Sequence, residues 1–262
     1  MSPGRRAFAL FGDPVGHSLS PLMHAAAFAA LGIPATYTAI RAGTREMAAL
    51  LPGVARAGGA NLTHPLKQAA LAAVDEARGW AARLSACNTV HVEAGRVIGD
   101  NTDVAGIAEA ARELGVGDGP WLIIGTGASA RAAVAAASLR GSPVAVRSRQ
   151  RERAAAFLRW ATTLTEIAAA EGEWALVVRA VPAGVEPGSA LDEVNGQAVA
   201  ALDLTYARGE TPWVRTLRAH GIRAADGRAV LVGQGAAALE RWFPGVVPPI
   251  DVMRRAVDAA LA

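Results

Sequence analysis

The 262-residue chain contains one cysteine, one lysine, two tyrosines and four asparagines. A lone Cys87 cannot close an internal disulfide, which suits a reducing compartment. No stretch approaches the roughly 18 unbroken apolar residues of a membrane helix, and Met1 to Leu10 lacks an apolar run long enough for a secretory signal. The expectation is a soluble, cytoplasmic protein. Charge of one sign is missing too: 26 basic and 23 acidic residues leave a formal net charge of +3. The basic run Arg147 to Arg153 is short and has no interleaved aromatics, so neither nucleic acid nor membrane is expected as a partner. Apolar residues make up 52% of the chain, enough for a sizeable core in one long domain or two modest ones. Disordered and fibrous classes are excluded.

The scarcities also point inward. With one lysine among 26 basic residues, arginine supplies positive charge everywhere except at Lys67. A position that keeps lysine under such drift needs an amine, which can give up and recover a proton where a guanidinium cannot. Three of the four asparagines (Asn61, Asn88, Asn101) fall in short polar patches with Thr63, Lys67, Thr89, Thr102 and Asp103.

Short apolar runs alternate with helical patterns, the signature of an α/β architecture with largely parallel sheets. Strands are predicted over 7–11, 35–40, 59–62, 89–92, 121–124, 144–147, 174–178 and 198–204. Helices are predicted over 21–31, 65–73, 103–114, 129–139, 151–160, 212–219 and 252–261. Ser20, Asp103 and Thr211 stand where N-caps belong. The stretch Gly115 to Pro120 is the clearest break in composition.

The turn Gly125-Thr-Gly127-Ala128-Ser129-Ala130 follows a predicted strand and opens a predicted helix, the context of a dinucleotide fingerprint. About 20 residues past the second glycine, where an acid would grip a ribose 2′-hydroxyl, stand Arg147-Ser148-Arg149-Gln150-Arg151. Guanidiniums there favour a 2′-phosphate, hence NADP; a solvated basic loop is the alternative. Ser18 and Ser20, beside a helix start, form either a cradle for a small carboxylate or a simple cap. Lys67 and Asp103, each near a helix start, form either a proton-exchanging pair or a structural ion pair. The histidines His17, His24, His64, His91 and His220 lack metal-ligand spacing, so no metal is expected.

Taken in order, Gly12 to Pro21, Asn61 to Lys67, Asn88-Thr89-Val90, Asn101-Thr-Asp103, Gly125 to Gly127 with Arg131, Asp203 to Tyr206 with Thr211-Pro212, and Leu231 to Gln234 resemble the shikimate dehydrogenases over nearly the whole chain. The resemblance implies reversible, NADP-linked interconversion of 3-dehydroshikimate and shikimate, on the route to chorismate and the aromatic amino acids. It implies a substrate domain (1–102 plus 235–262), a Rossmann-type NADP domain (103–234) and an active-site cleft between them. By position, Ser18 and Ser20 would hold the substrate carboxylate with Tyr206 nearby. Asn61, Thr63, Asn88, Asp103 and Gln234 would meet the ring hydroxyls, and Lys67 with Asp103 would manage the proton. Gly125, Gly127, Ala128, Ser129, Arg131, Ser148, Arg149, Arg179, Leu204 and Gly227 would line the cofactor.

The chain departs from the family at Ser85-Ala-Cys87 (Gly-Ala-Val in the family), at Ala128 (a third glycine), at Ser148-Arg149-Gln150 (Asn-Arg-Thr) and at Arg179-Ala-Val-Pro182 (Asn-Ala-Thr-Pro). Arg179 is expected as a bulky cation facing the cofactor. A quinate/shikimate or aminoshikimate dehydrogenase, a non-catalytic shikimate-binding sensor and a plain NADP-binding regulator are the competing readings, and the oligomeric expectation is a monomer or homodimer.

Overall fold

The computed structural model describes residues 6–169, 172–182, 192, 194 and 198–262. The chain divides into two compact units: one runs to Asp103 and is completed by Leu231–Ala260, and the other comprises Val104–Val230 with Leu261–Ala262.

The first unit holds a six-stranded mixed sheet. Its strands are β1 (Arg6–Gly12), β2 (Ala35–Arg41), β3 (Gly58–Leu62), β4 (Glu76–Ala77), β5 (Thr89–Glu93) and β6 (Arg96–Asp100), in the order β2-β1-β3-β5-β6-β4. β1 pairs in parallel with β2 and β3, whereas β5 pairs antiparallel with β3 and β6. Helices α1 (Ser20–Ala30), α2 (Thr44–Ala57) and α3 (Gly79–Leu84) accompany it. Phe11, Met47, Leu51, Leu62, Leu66, Cys87 and Val90 form its buried core.

The second unit is an all-parallel sheet of β7 (Trp121–Ile124), β8 (Val144–Arg147), β9 (Leu176–Arg179), β10 (Ala200–Asp203) and β11 (Arg223–Ala225), in the order β11-β10-β9-β7-β8. A single parallel bridge from Val144 to Ile167 extends the β8 edge. Strand order reverses between β7 and β9, so the turn leaving β7 lies at a topological switch point, where open α/β sheets take ligands. Helices α4 (Asp103–Glu113), α5 (Ala128–Leu139), α6 (Arg151–Ala161) and α7 (Pro212–Ala219) follow the strands. In α5 the residues Ala132 to Ala137 are all buried, so small side chains let the helix approach the sheet closely. α8 (Arg228–Trp242) and α9 (Ile250–Leu261) close the chain.

Several sequence expectations need correction. The segment 65–73 is not an α-helix: only Ala69–Ala73 coils, as a 3-10 turn. Its Lys67 carbonyl accepts the Cys87 N–H at 2.7 Å, so it is spent on the strand-entry segment and not on a helical bond. The first sheet is mixed rather than largely parallel, because the short turn at Ala94-Gly95 returns β6 directly beside β5. Ser20 is not a cap either: Leu19 holds that position and makes no side-chain capping bond.

Candidate active site

The mixed topology gathers the polar patches of the first unit. β1 and β3 run the same way, β5 starts beside the end of β3, and β6 ends beside the start of β5. Asn61 therefore stands opposite Thr89, and Thr89 opposite Asp100. Chain leaving β1, β3 and β6, and chain entering β5, share one sheet edge.

At that edge Lys67 Nζ donates to Asp103 Oδ2 at 2.6 Å, with the two side chains only 13% and 12% exposed. Asn88 Nδ2 donates to the other carboxylate oxygen at 2.7 Å. The Asn88 Oδ1 accepts from the Thr102 N–H at 2.7 Å and from the Thr89 hydroxyl at 3.0 Å, which fixes the amide so that its nitrogen faces Asp103. The Asn101 Oδ1 accepts the Asp103 N–H, and the Asn101 amide donates to the Ala86 carbonyl, pinning the start of α4. Arg241 of α8 pairs with Asp100 at 2.5 Å just before this turn. The carboxylate is thus positioned by a network whose buried groups pair with one another.

Asn61 was expected among the substrate contacts. Its Nδ2 donates to the Asn88 carbonyl and to the Thr89 hydroxyl, while its Oδ1 accepts from Tyr37 at 2.8 Å. Buried and committed on both sides, it shapes the site from behind. Thr63 is different: its N–H is bound to the Phe11 carbonyl, its methyl packs where a Cβ on Gly12 would fall at 2.4 Å, and among the described residues its hydroxyl has no partner. Ser18 donates to the Ser20 hydroxyl at 3.2 Å, and the Ser20 N–H donates back at 3.3 Å. The Ser18 oxygen thus takes the first amide of α1, and the two hydroxyls stand together at that helix start. Gln234, on α8, donates to the Leu231 carbonyl and is half-buried. His24 is fully buried and stacked on Tyr37 at 4.5 Å; burial lowers its pKa to about 3, so it stays neutral. Among the described residues no cluster of three or more His, Cys, Asp or Glu side chains could hold a metal.

In the second unit Gly125 has φ +118°, and a Cβ there would meet the Ala180 carbonyl oxygen at 2.5 Å, so packing demands the glycine. At Gly127, by contrast, a Cβ would meet nothing within 4 Å. Gly127 is the N-cap of α5 and supplies no side chain, so the first amides of the helix, at Ala128 and Ser129, are left without a side-chain cap beside that open space. Such a cradle fits a pyrophosphate. Arg131 is held over the Trp160 ring at 4.7 Å. Arg149 is exposed after β8 and has no ion-pair partner among the described residues, while Ser148 accepts the Gln150 N–H. Gly227 must be glycine because a Cβ would strike the Leu204 carbonyl oxygen at 2.5 Å. Tyr206 is half-buried in this unit.

Arg179 does not stand open at its strand end. Asp203 is its register partner on β10, and the two form an ion pair (Nη1 to Oδ2, 3.5 Å) with Arg179 only 5% exposed. Asp203 also accepts from Thr205 and Thr211. A buried carboxylate opposite explains why the side chain turns inward.

Sequence reasoning placed Thr89 and Thr102 in the polar patches without a role and passed over Tyr37. Tyr37, one of two tyrosines, carried the same signal of scarcity as Lys67.

Residues 10–90 match the shikimate dehydrogenase substrate binding domain, and residues 227–257 match the shikimate 5'-dehydrogenase C-terminal domain. The shikimate dehydrogenase (NADP(+)) of Symbiobacterium thermophilum is 36% identical over 99% of this chain and 95% of its own. That of Thermus thermophilus is 37% identical over 97% and 98%. Among solved structures, the Thermus thermophilus shikimate 5-dehydrogenase in complex with NADP(H) and shikimate superposes with a TM-score of 0.86 at 35% identity, covering 98% of this chain and all of that one. The Mycobacterium tuberculosis shikimate dehydrogenase gives 0.85 at 30% identity, over 97% and 99%.

Proposed function

Since the chain belongs to the shikimate dehydrogenase family, we propose that its Lys67–Asp103 pair carries the proton in the reaction of that family. The protein is an NADP-dependent oxidoreductase that interconverts 3-dehydroshikimate and shikimate. When bound, the nicotinamide supplies or accepts the hydride. Everything else falls to the chain. In the reducing direction Lys67 Nζ gives a proton to the ketone oxygen as charge develops there, and in the oxidising direction it takes the hydroxyl proton back. Asp103 holds the amine in place and is itself held by Asn88.

The substrate's carboxylate takes the Ser18 and Ser20 hydroxyls at the start of α1, and the Thr63 hydroxyl, without a partner among the described residues, meets the ring with Gln234. The unit running to Asp103 with Leu231–Ala260 is the substrate-binding half, and the Val104–Val230 unit holds the dinucleotide. There the open face at Gly127 receives the pyrophosphate, and Arg149 meets the 2′-phosphate. The unpaired, buried Cys87 suits the cytoplasm. No helix among the described residues is long and apolar enough to cross a membrane.

The observation that carries this reading is the 2.6 Å contact between the only lysine and a carboxylate anchored on its second oxygen. Reduced-nicotinamide absorbance, with NADP or NAD offered against shikimate and quinate, tests it. The expected result is fastest turnover with NADP and shikimate. Tight shikimate binding without turnover would make the protein a sensor.

A further inference from the structure

A chain of buried hydrogen bonds leads from Tyr37 to the proton-carrying pair. Tyr37 donates to Asn61 Oδ1 at 2.8 Å; Asn61 donates to the Asn88 carbonyl at 3.1 Å and to Thr89 at 3.0 Å. Thr89 donates to Asn88 Oδ1, and Asn88 Nδ2 reaches Asp103. Each donor points the same way along the path.

We propose that Tyr37 is a positioning residue for the reaction, whose hydroxyl fixes Asn61 and through it the Asn88 amide that aims Asp103 at Lys67. This rests on the proton role proposed above for that pair. Tyr37 supplies the donor seen at Asn61 Oδ1, in a site 3% exposed. Without it that oxygen is a buried acceptor with nothing to accept. A flip of the amide offers no escape, because it would turn the oxygen toward the Asn88 carbonyl, which now accepts the Asn61 N–H. The Asn61 side chain must therefore shift, taking Asn88 and Thr89 with it. The Tyr37 ring itself is clamped by stacking on the neutral His24 and by Trp242 at 6.2 Å, so the hydroxyl is delivered by a rigid lever.

Tyr37→Phe keeps the ring and removes only the donor. Because Lys67 is the only lysine, selective lysine labelling gives one side-chain NMR signal that reports its pairing with Asp103. In Tyr37→Phe that signal moves toward its position in Asp103→Asn. The kcat for shikimate falls on the order of tenfold with KM within about twofold, the size of one lost hydrogen bond. The melting temperature changes by only a few degrees. In an Asn61→Ala background Tyr37→Phe has no further effect, since it acts through Asn61. An unmoved lysine signal, a loss confined to KM, or additive effects in the double variant overturns the proposal. Wild-type protein inactive on shikimate and NADP would sink the functional reading, while the lysine signal would still decide this one.

Discussion

Around Lys67 and Asp103 the working groups are side chains held by other side chains, buried and mutually bonded, whereas at the glycine turn after β7 they are backbone amides beside open space and an exposed arginine. The difference follows from the two tasks. Proton transfer fails when donor and acceptor drift by a fraction of an ångström, so its groups are over-determined by neighbours. A dinucleotide is gripped through many weak contacts along its length, so its groups are left free to meet it. The two halves should accordingly break in different ways.

The largest effect is expected at Lys67. Lys67→Arg keeps the positive charge and several donors, so shikimate binding through Ser18 and Ser20 persists within about tenfold. A guanidinium does not release a proton near neutral pH, so the acid–base contribution, typically about 10²–10⁴-fold, is lost from kcat. Retention of more than about a third of kcat, with chemistry rate-limiting, would reduce the lysine to an electrostatic anchor. This site was legible in the sequence because its residue types are rare in an arginine- and alanine-rich chain. Its supporting network was legible only as polar patches holding Thr89 and Thr102, since the bonds these make depend on where the antiparallel β5 and β6 bring them together.

Next in size is Arg179, the departure read from sequence as a cation aimed at the cofactor. Sequence shows a charge at a strand end but not the carboxylate across the register, and Asp203 turns that charge inward. Arg179→Met leaves a buried carboxylate short of its cation and costs about 3 kcal/mol of stability, at the low end for a buried pair because the contact is 3.5 Å. Chemical denaturation measures this directly. NADP affinity, by titration of the folded variant, changes little; a large loss of affinity with stability unchanged would restore the original reading.

Arg149 reverses that pattern. Exposed and unpaired among the described residues, it contributes little to the fold, so Arg149→Ala leaves the melting temperature alone. One charge-assisted contact to a 2′-phosphate is worth roughly 1.5–3 kcal/mol, or about tenfold to hundredfold in NADP affinity, with NAD nearly unaffected. Equal losses for both cofactors would remove Arg149 from the phosphate site.

The fold's legibility divides along similar lines. Buried parallel strands such as β7 and β8 were read to the residue, because continuous apolar runs between turn residues leave little choice. Helix α2 is not among the clearest sequence patterns: Pro52 lies inside it, yet it opens with the Glu46 carboxylate bound to the Gly43 N–H and is held by buried Met47, Leu51 and Ala55. Tertiary burial outweighs a local signal there.

The smallest effect lies at a family departure that the backbone explains. Where the family resemblance implies glycine before Ala86, this chain has Ser85, and Ser85 sits at the C-cap of α3 with φ +50° and ψ +44°, a left-handed conformation that costs an L-residue roughly 1–2 kcal/mol. Its side chain is exposed and makes no hydrogen bond among the described residues, so little is lost by deleting it. Ser85→Gly removes the strain but gives the unfolded chain more freedom, which offsets part of the gain. The net expectation is stabilisation by about 0.5–1 kcal/mol, seen as a rise of a few degrees in melting temperature. Because Ser85 lies just before the Asn88 segment, kcat and shikimate KM should stay at wild-type values if the Asn88–Asp103 contact is fixed by its own hydrogen bonds rather than by the strained turn. A stabilised variant with altered kcat would show instead that the turn feeds into the site, and that the proton-carrying half depends on its backbone as the cofactor half does.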